Sequence, residues 1–164
     1  MISCSARVSP ALQRRLAALR QIATEGHEAI SAAIGGKTIA TIRARTLAGT
    51  DMDGHRFVPY SAAYARRRRA AGLSATPDLA VTGKLMRSVR WQRAGALTRI
   101  YVATSRRGRI SDYDLARIHH FGARAGRRHN AVIPSRPFFG LTVTEWATVR
   151  DVAAQAIRRV LAAK

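Results

Sequence analysis

The first fifty positions of the chain carry apolar residues at helical spacing. Ser9 and Pro10 form a helix start, with Ser as the N-cap and Pro at the first helical position. The apolar stripe that follows, at intervals typical of one helix face, consists of Leu12, Leu16, Leu19, Ile22, Ile30 and Ile34. We expect this stripe to face the core, and a partner surface is the alternative.

Glycines are the points at which this helical pattern can break. Gly26 is expected to divide the stretch into two helices, and the Gly35-Gly36 pair is a place where the second helix could be interrupted. Helical spacing resumes after that pair and continues to about Leu47. The sequence therefore predicts two helices in this part of the chain.

Turn signals and short elements alternate in the middle of the chain. Asp53-Gly54 predicts a turn, and Pro59 keeps the residues that follow it extended. A short helix is predicted from Ser61, ended by Gly72. The four consecutive arginines at 66–69 cannot share one helix face, so we expect most of them to be solvated or to contact a partner.

Two runs with strand-like alternation predict an antiparallel hairpin. Val89 and Trp91 alternate with polar residues, the run "TRIYVAT" follows, and the link "AGAL" between the two runs contains a glycine. A basic loop, "SRRGRISD", then leads into the short predicted helix "DYDLARIHHFG", with Leu115, Ile118 and Phe121 directed inward. A second basic loop, "ARAGRRHN", comes next.

Residues 132–141, called the strap below, read as a stiff non-helical segment. Pro134 and Pro137 fix their own φ angles and hold the residues before them extended. Thr142 and Glu145 then have the spacing of a capping box, which predicts the start of the last helix. Its expected apolar stripe consists of Trp146, Val149, Ala153, Ala156, Ile157 and Val160.

These elements predict one α+β domain over residues 1–164. N-terminal helices occupy residues 9–48, a small antiparallel β-sheet with loops occupies residues 49–141, and a long C-terminal helix over residues 142–162 packs on the sheet. A chain of 164 residues with 47% hydrophobic residues is long enough and apolar enough to bury a core.

The charge is the outlying property of the composition. The chain has 29 Lys and Arg against 9 Asp and Glu, a formal net charge of +20, and only three of the basic residues are lysines. Such a charge is offset in the working state by nucleic acid or by acidic proteins, although a codon-biased genome would also enrich arginine.

Cys4 is the only cysteine, so the sequence offers neither a disulfide framework nor a Cys-x-x-Cys metal site. Without an 18-residue apolar run or a signal peptide, we expect a cytoplasm-like setting.

The residues capable of catalysis do not form a familiar pattern. Adjacent His119 and His120 point about 100° apart on a helix, so they make a poor chelating pair, and His119 is expected to be a half-buried, hydrogen-bonded histidine. Asp112 and Asp114 with the histidines leave a metal-dependent nuclease as a third choice. We expect no enzyme activity, no metal and no cofactor.

The order of four motifs resembles one family of phage proteins. These motifs are an Asp-Gly turn followed by an aromatic residue and Pro59, then "VTGKLMRSV", then "YDLARIHHFG", then "IPSRPFFGLT" before a C-terminal helix. Together they resemble the virion morphogenesis or tail-completion family of tailed bacteriophages, including Mu-like and P2-like minor virion proteins. Phe57 stands where a Trp is more usual in that family, and the loops at 105–109 and 123–130 are richer in arginine.

The resemblance implies a structural role without catalysis. Such proteins complete the head-proximal end of the tail or join it to the head through the neck, and they are expected to form a ring, a hexamer if the ring follows the tail tube. The implied neighbours are a connector or stopper, a tail terminator and the tail tube, with non-specific contact to DNA in the lumen and no membrane partner. The implied location is the virion neck, reached through the host cytoplasm during assembly.

The same resemblance suggests which residues carry the role. The strap is expected to anchor Phe138 and Phe139 in the core and to leave Arg136 free for a carboxylate, across a subunit boundary or simply as an exposed side chain. The hypothetical subunit or partner interface comprises Arg136, Phe138, Phe139, His119, Arg66 and Arg67. Contacts to DNA or to acidic neck proteins, with acidic proteins favoured, are expected from Arg106, Arg107, Arg109, Arg124, Arg127 and Arg128.

A free-standing, sequence-nonspecific nucleic-acid-binding protein is the alternative function. Its basis is the alternation of arginine clusters at 66–69, 106–109 and 124–128 with tyrosines and Trp91. No zinc-finger, RRM or KH signature accompanies them, so such binding would be to backbone phosphate without sequence readout.

Overall fold

The computed structural model describes residues 9–22, 26–104, 110–126 and 131–163. The elements in this part of the chain are α1 (Pro10–Gln21), α2 (His27–Leu47), α3 (Ala62–Ala70), α4 (Lys84–Ser88), β1 (Val89–Ala94), β2 (Leu97–Val102), α5 (Asp112–Phe121), β3 (Ala123–Ala125), β4 (Ala131–Ile133) and α6 (Val143–Ala162). The predicted α+β class is confirmed. None of the described helices is long and apolar enough to cross a membrane.

Helix α2 is the centre of the molecule. The β1–β2 hairpin packs against it, and so does α6, so that α2 connects the last helix to the sheet. The predicted interruption at Gly35-Gly36 is wrong, because α2 continues through both glycines. At Gly35 the missing side chain is useful: an added Cβ would lie 2.4 Å from Cγ of Trp91, so the hairpin approaches the helix where only glycine leaves room.

The predicted break at Gly26 is confirmed, since α1 ends at Gln21 and α2 begins at His27. Gly26 is itself buried, and a Cβ there would lie 2.6 Å from Cγ1 of Val160 in α6. The chain therefore passes α6 closely between its first two helices.

The predicted hairpin is confirmed and its register determines its faces. Val89 pairs with Val102 and Trp91 pairs with Ile100, and these four side chains pack with the core beside α2. The neighbouring positions, such as Arg90 and Arg99, fall on the opposite face and are exposed. One face of the hairpin therefore covers the core and the other is basic.

The core is built from α2, the hairpin and loop residues. Its buried apolar side chains are Ile39, Ile42, Phe57, Leu79, Leu85, Met86, Val89, Ala116 and Phe138. Phe57 follows the predicted Asp53-Gly54 turn, which is present with Gly54 at φ 85°. Phe138 comes from the strap, which confirms that the strap places an aromatic side chain in the core.

Three short elements were not predicted from the sequence. Helix α4 has only five residues and follows Gly83, which is in the left-handed conformation with φ 68°. Strands β3 and β4 have three residues each and pair as an antiparallel ladder; β3 lies where the second basic loop was expected, and β4 lies where the strap begins. Elements of this length contain too few positions to show a helical or strand period.

The expectation that the first apolar stripe faces the core is wrong for α1. The side chains of Leu12, Leu16 and Leu19 are 47%, 44% and 62% exposed, because α1 touches the rest of the molecule mainly at α6. Phe121 and Trp146, also expected to face inward, are largely exposed as well. Helical spacing identified these helices correctly, but periodicity alone does not show whether an apolar face has a partner within the chain.

Candidate functional site

The strap is fastened to α2 and to α6 by one arginine. Arg45, in the last turn of α2, donates hydrogen bonds from one terminal nitrogen to the carbonyl oxygens of Phe138 and Gly140, each at 2.8 Å. Its other terminal nitrogen pairs with the carboxylate of Glu145. Glu145 also accepts the backbone N–H of Thr142, completing the predicted capping box. Arg45 thus fixes the end of the strap and the start of α6 together.

Arg136 is the buried cation of the strap. Its side chain is 3% exposed, and two of its nitrogens donate to the carbonyl oxygen of Val58 at 3.1 and 2.8 Å. Its backbone N–H donates to the carbonyl oxygen of His119 at 2.7 Å. The expectation of a free guanidinium, available to another subunit or simply exposed, is therefore wrong, because the group is used inside its own chain.

Tyr60 lies between two guanidinium groups. The guanidinium carbons of Arg68 and Arg136 are 5.0 and 5.1 Å from the centroid of its ring. Arg68 is 2% exposed, pairs with Asp78 at 2.8 Å and donates to the carbonyl oxygen of Ser74 at 2.6 Å. Burial raises the pKa of Tyr60 despite the two cations, which act in the opposite direction. This stack joins α3, the strap and the segment before α4.

The other arginines of α3 behave as the sequence predicts. Arg66, Arg67 and Arg69 are exposed, and Arg68 alone turns inward. Arg66 and Arg67 remain candidates for a partner surface. Contacts within a single chain do not test that prediction.

All four motifs meet at one groove. This groove, called the strap groove, has a volume of about 670 Å³ and is lined by residues from the segments 59–64, 79–85, 110–119 and 131–136. Pro59 belongs to the first of these motifs, Thr82 and Gly83 to the second, His119 to the third, and Pro134 with Arg136 to the fourth. Four large apolar side chains that line the groove are exposed: Tyr64, Val81, Ile110 and Val132. The groove is therefore largely apolar and open to a partner.

The two adjacent histidines face different surroundings. Burial, together with the nearby charge of Arg136, lowers the pKa of His119, and burial lowers the pKa of His120. His120 accepts the backbone N–H of Phe139 through Nδ1 at 3.4 Å. Nδ1 of His119 is buried and has no hydrogen-bond partner in the described part of the chain, so the hydrogen bond predicted for this side chain is not observed at that atom. Within the described residues, no three His, Cys, Asp or Glu side chains are arranged to hold a metal ion.

The remaining predicted interface residues divide into three groups. Phe138 is completely buried and Phe139 is half-buried beside it, with ring centroids 6.3 Å apart. Phe138 therefore belongs to the core beneath the predicted interface and cannot itself contact a partner. Arg124 is exposed on β3. Arg106, Arg107, Arg109, Arg127 and Arg128 lie outside the described residues.

Sequence reasoning missed the internal use of arginine. Arg43 donates to the carbonyl oxygens of Met86 and Val89, at 2.9 and 3.2 Å, and so ties α2 to the start of the hairpin. Arg45 could have been suspected, because it follows Ile42 by three residues and so lies beside the buried stripe of α2. For Arg68 and Arg136 no sequence period gave a comparable signal.

The comparison with known families identifies the chain. No curated protein and no solved structure matches it. The model of the phage virion morphogenesis family matches residues 8–158, which includes all four motifs and nearly the whole described structure. The chain therefore belongs to the phage virion morphogenesis family, as its motifs predicted.

Proposed function

We propose that this virion morphogenesis protein is a structural component of the neck or the head-proximal tail end, where it assembles as a ring. The observation that carries the proposal is the apolar surface that a single copy leaves uncovered. Leu12, Leu16 and Leu19 form an exposed stripe on α1, and contiguous apolar patches on soluble proteins mark sites of association. Within a ring, each copy would cover such a surface on its neighbour.

The proposed partners are further copies of the chain and the adjoining rings of the neck and tail. A net charge of +20 suits docking on acidic neighbouring proteins, because complementary charge orients the partners and speeds assembly. The exposed basic face of the hairpin, with Arg90 and Arg99, is one surface available for this purpose. Sixfold symmetry would match the tail tube, and DNA passing through the lumen would meet only weak, sequence-blind contacts.

Light scattering on the purified protein, at low and high salt and with and without duplex DNA, tests the proposal in solution. We expect a discrete oligomer whose mass does not depend on DNA. The second part of the test asks whether the protein is present in purified particles, and whether phage lacking it accumulate separate heads and tails. A protein absent from particles and dispensable for joining heads to tails would overturn the proposal.

Sequence-nonspecific nucleic-acid binding is the second candidate, and the exposed arginines favour it. Phosphate binding of this kind releases counterions, so affinity for DNA would fall steeply as salt rises. A stable monomer that coats duplex DNA and leaves it at high salt would select this function. The internal hydrogen bonds of Arg43, Arg45, Arg68 and Arg136 weaken the case, because those four guanidinium groups are already engaged within the chain.

A further inference from the structure

Helix α1 presents a narrow apolar ridge with basic flanks. Leu12, Leu16 and Leu19 follow one another at i, i+4 and i+7, so they lie along one side of the helix and are all exposed. Arg14 and Arg15 are exposed beside them. The ridge is what a helix offers when it inserts into an apolar groove of another molecule.

The strap groove has the complementary form. Its walls carry exposed Val81, Ile110 and Val132, and its volume of about 670 Å³ is large enough to hold several side chains. Among its charged lining residues, Arg136 is buried and bonded to Val58, whereas Lys84 and Asp112 are closer to the surface.

The acidic residues beside the groove favour an apolar ridge whose flanks are basic. Asp112 and the exposed Asp114 both lie in the first turn of α5; Asp112 lines the strap groove, and Asp114 lines a neighbouring pocket together with Arg117. Only nine residues of the chain are acidic, so two carboxylates in one turn are a local departure from its basic surface. Arg14 and Arg15, on the flanks of an inserted α1, would approach this acidic turn of α5.

We propose that α1 of one copy inserts its leucine ridge into the strap groove of the next copy. This interface rests on the proposed ring function and specifies how neighbouring copies meet. The ridge and the groove are different surfaces, so the contact is head-to-tail, and an open chain of copies always leaves one ridge and one groove uncovered. Closing the ring covers both, which gives the closed form an advantage over open chains.

Two substitutions and a matched control test the contact by light scattering. Leu16→Asp places a charge in the middle of the ridge, and Val132→Asp places one in the groove. Leu97→Asp puts the same charge on an apolar residue at the hairpin turn that is as exposed as Val132 and lies outside both surfaces. All three positions are exposed, so the fold should be retained, and circular dichroism checks that it is. We expect Leu16→Asp and Val132→Asp to be monomers and Leu97→Asp to keep the mass of the wild-type oligomer.

Mixing the two monomeric variants tests the direction of the contact. The Leu16→Asp chain keeps an intact groove and the Val132→Asp chain keeps an intact ridge, so one productive contact remains. We expect the mixture to give the mass of two chains and no larger species. A mixture that stays monomeric would overturn the head-to-tail contact, and so would either variant retaining the wild-type mass.

The outcomes also separate this interface from the proposed function. Variants that keep the ring mass would refute the contact and leave the ring intact. A wild-type chain that stays monomeric at both salt concentrations would refute the contact as well, since it requires no other protein. The neck function itself would fail only if the protein were absent from purified particles and dispensable for joining heads to tails.

Discussion

Replacing Arg136 separates its internal role from a role at the surface. In Arg136→Met the chain retains most of the side-chain bulk but loses both hydrogen bonds to Val58 and the contact with the face of Tyr60. Hydrogen bonds from a charged donor contribute about 1.5–3 kcal/mol. A largely desolvated cation–π contact adds about 1–2 kcal/mol. Relief from burying a cation offsets part of this loss.

The expected net loss is about 3 kcal/mol in the free energy of unfolding, since the carbonyl of Val58 also loses its donor. For a domain of this size 1 kcal/mol corresponds to about 2–4 °C in the melting temperature, so Arg136→Met should melt about 10 °C below the wild type. Arg136→Lys should fall between the two, because an ammonium group keeps the charge but lacks the planar pair of donors.

Thermal unfolding followed by circular dichroism measures the effect, and Arg66→Met is the matched control. Arg66 is exposed on α3, so removing its charge should change the free energy of unfolding by no more than about 0.5 kcal/mol. If Arg136→Met melts within about 2 °C of Arg66→Met, a span that the scaling above equates with about 0.5–1 kcal/mol, the internal role is refuted. If it melts normally but fails to assemble, the original expectation of a partner-facing Arg136 would regain support.

Two further predictions concern α2 and the histidines. Gly35→Ala should destabilise the fold by about 1–3 kcal/mol in thermal unfolding, because its Cβ would overlap the ring of Trp91. Gly36→Ala, with nothing within 4 Å of its Cβ, should instead stabilise it by about 0.5–1 kcal/mol. The lowered pKa values of His119 and His120 mean that the unfolded chain binds protons more readily. Stability should therefore fall as pH drops below about 6.5, and His119→Gln should reduce that fall; an unchanged pH dependence would contradict the buried placement.

The sequence predicted the helices and the hairpin well because each has a local physical cause. Ser9 with Pro10, and Thr142 with Glu145, supply caps whose hydrogen bonds form within one turn. The hairpin follows from alternation around Gly95, whose φ of 61° suits the turn. Signals of this kind depend on residues only a few positions apart, so they can be read without knowledge of the fold.

The site was less predictable because its contacts join distant parts of the chain. Arg45 and Glu145 are separated by one hundred positions, and Arg136 and Val58 by seventy-eight. Motif order pointed to the correct family and to Phe138 in the core. It did not show that Arg136 turns inward or that the leucines of α1 remain exposed, since both depend on which surfaces meet after folding.

The internal arginines also affect how the high net positive charge of the chain is interpreted. Arg43, Arg45 and Arg136 direct donors to main-chain carbonyl oxygens of other segments, and so join the hairpin, the strap and the loop before α3. A carbonyl accepts a hydrogen bond without neutralising the cation, so this form of support leaves the net charge of the chain unchanged. With nine acidic residues, of which Asp78 and Glu145 already pair with buried arginines, one copy cannot balance its own charge. Adding copies alone would accumulate like charge, so an assembled ring should be more stable beside an acidic neighbour than by itself.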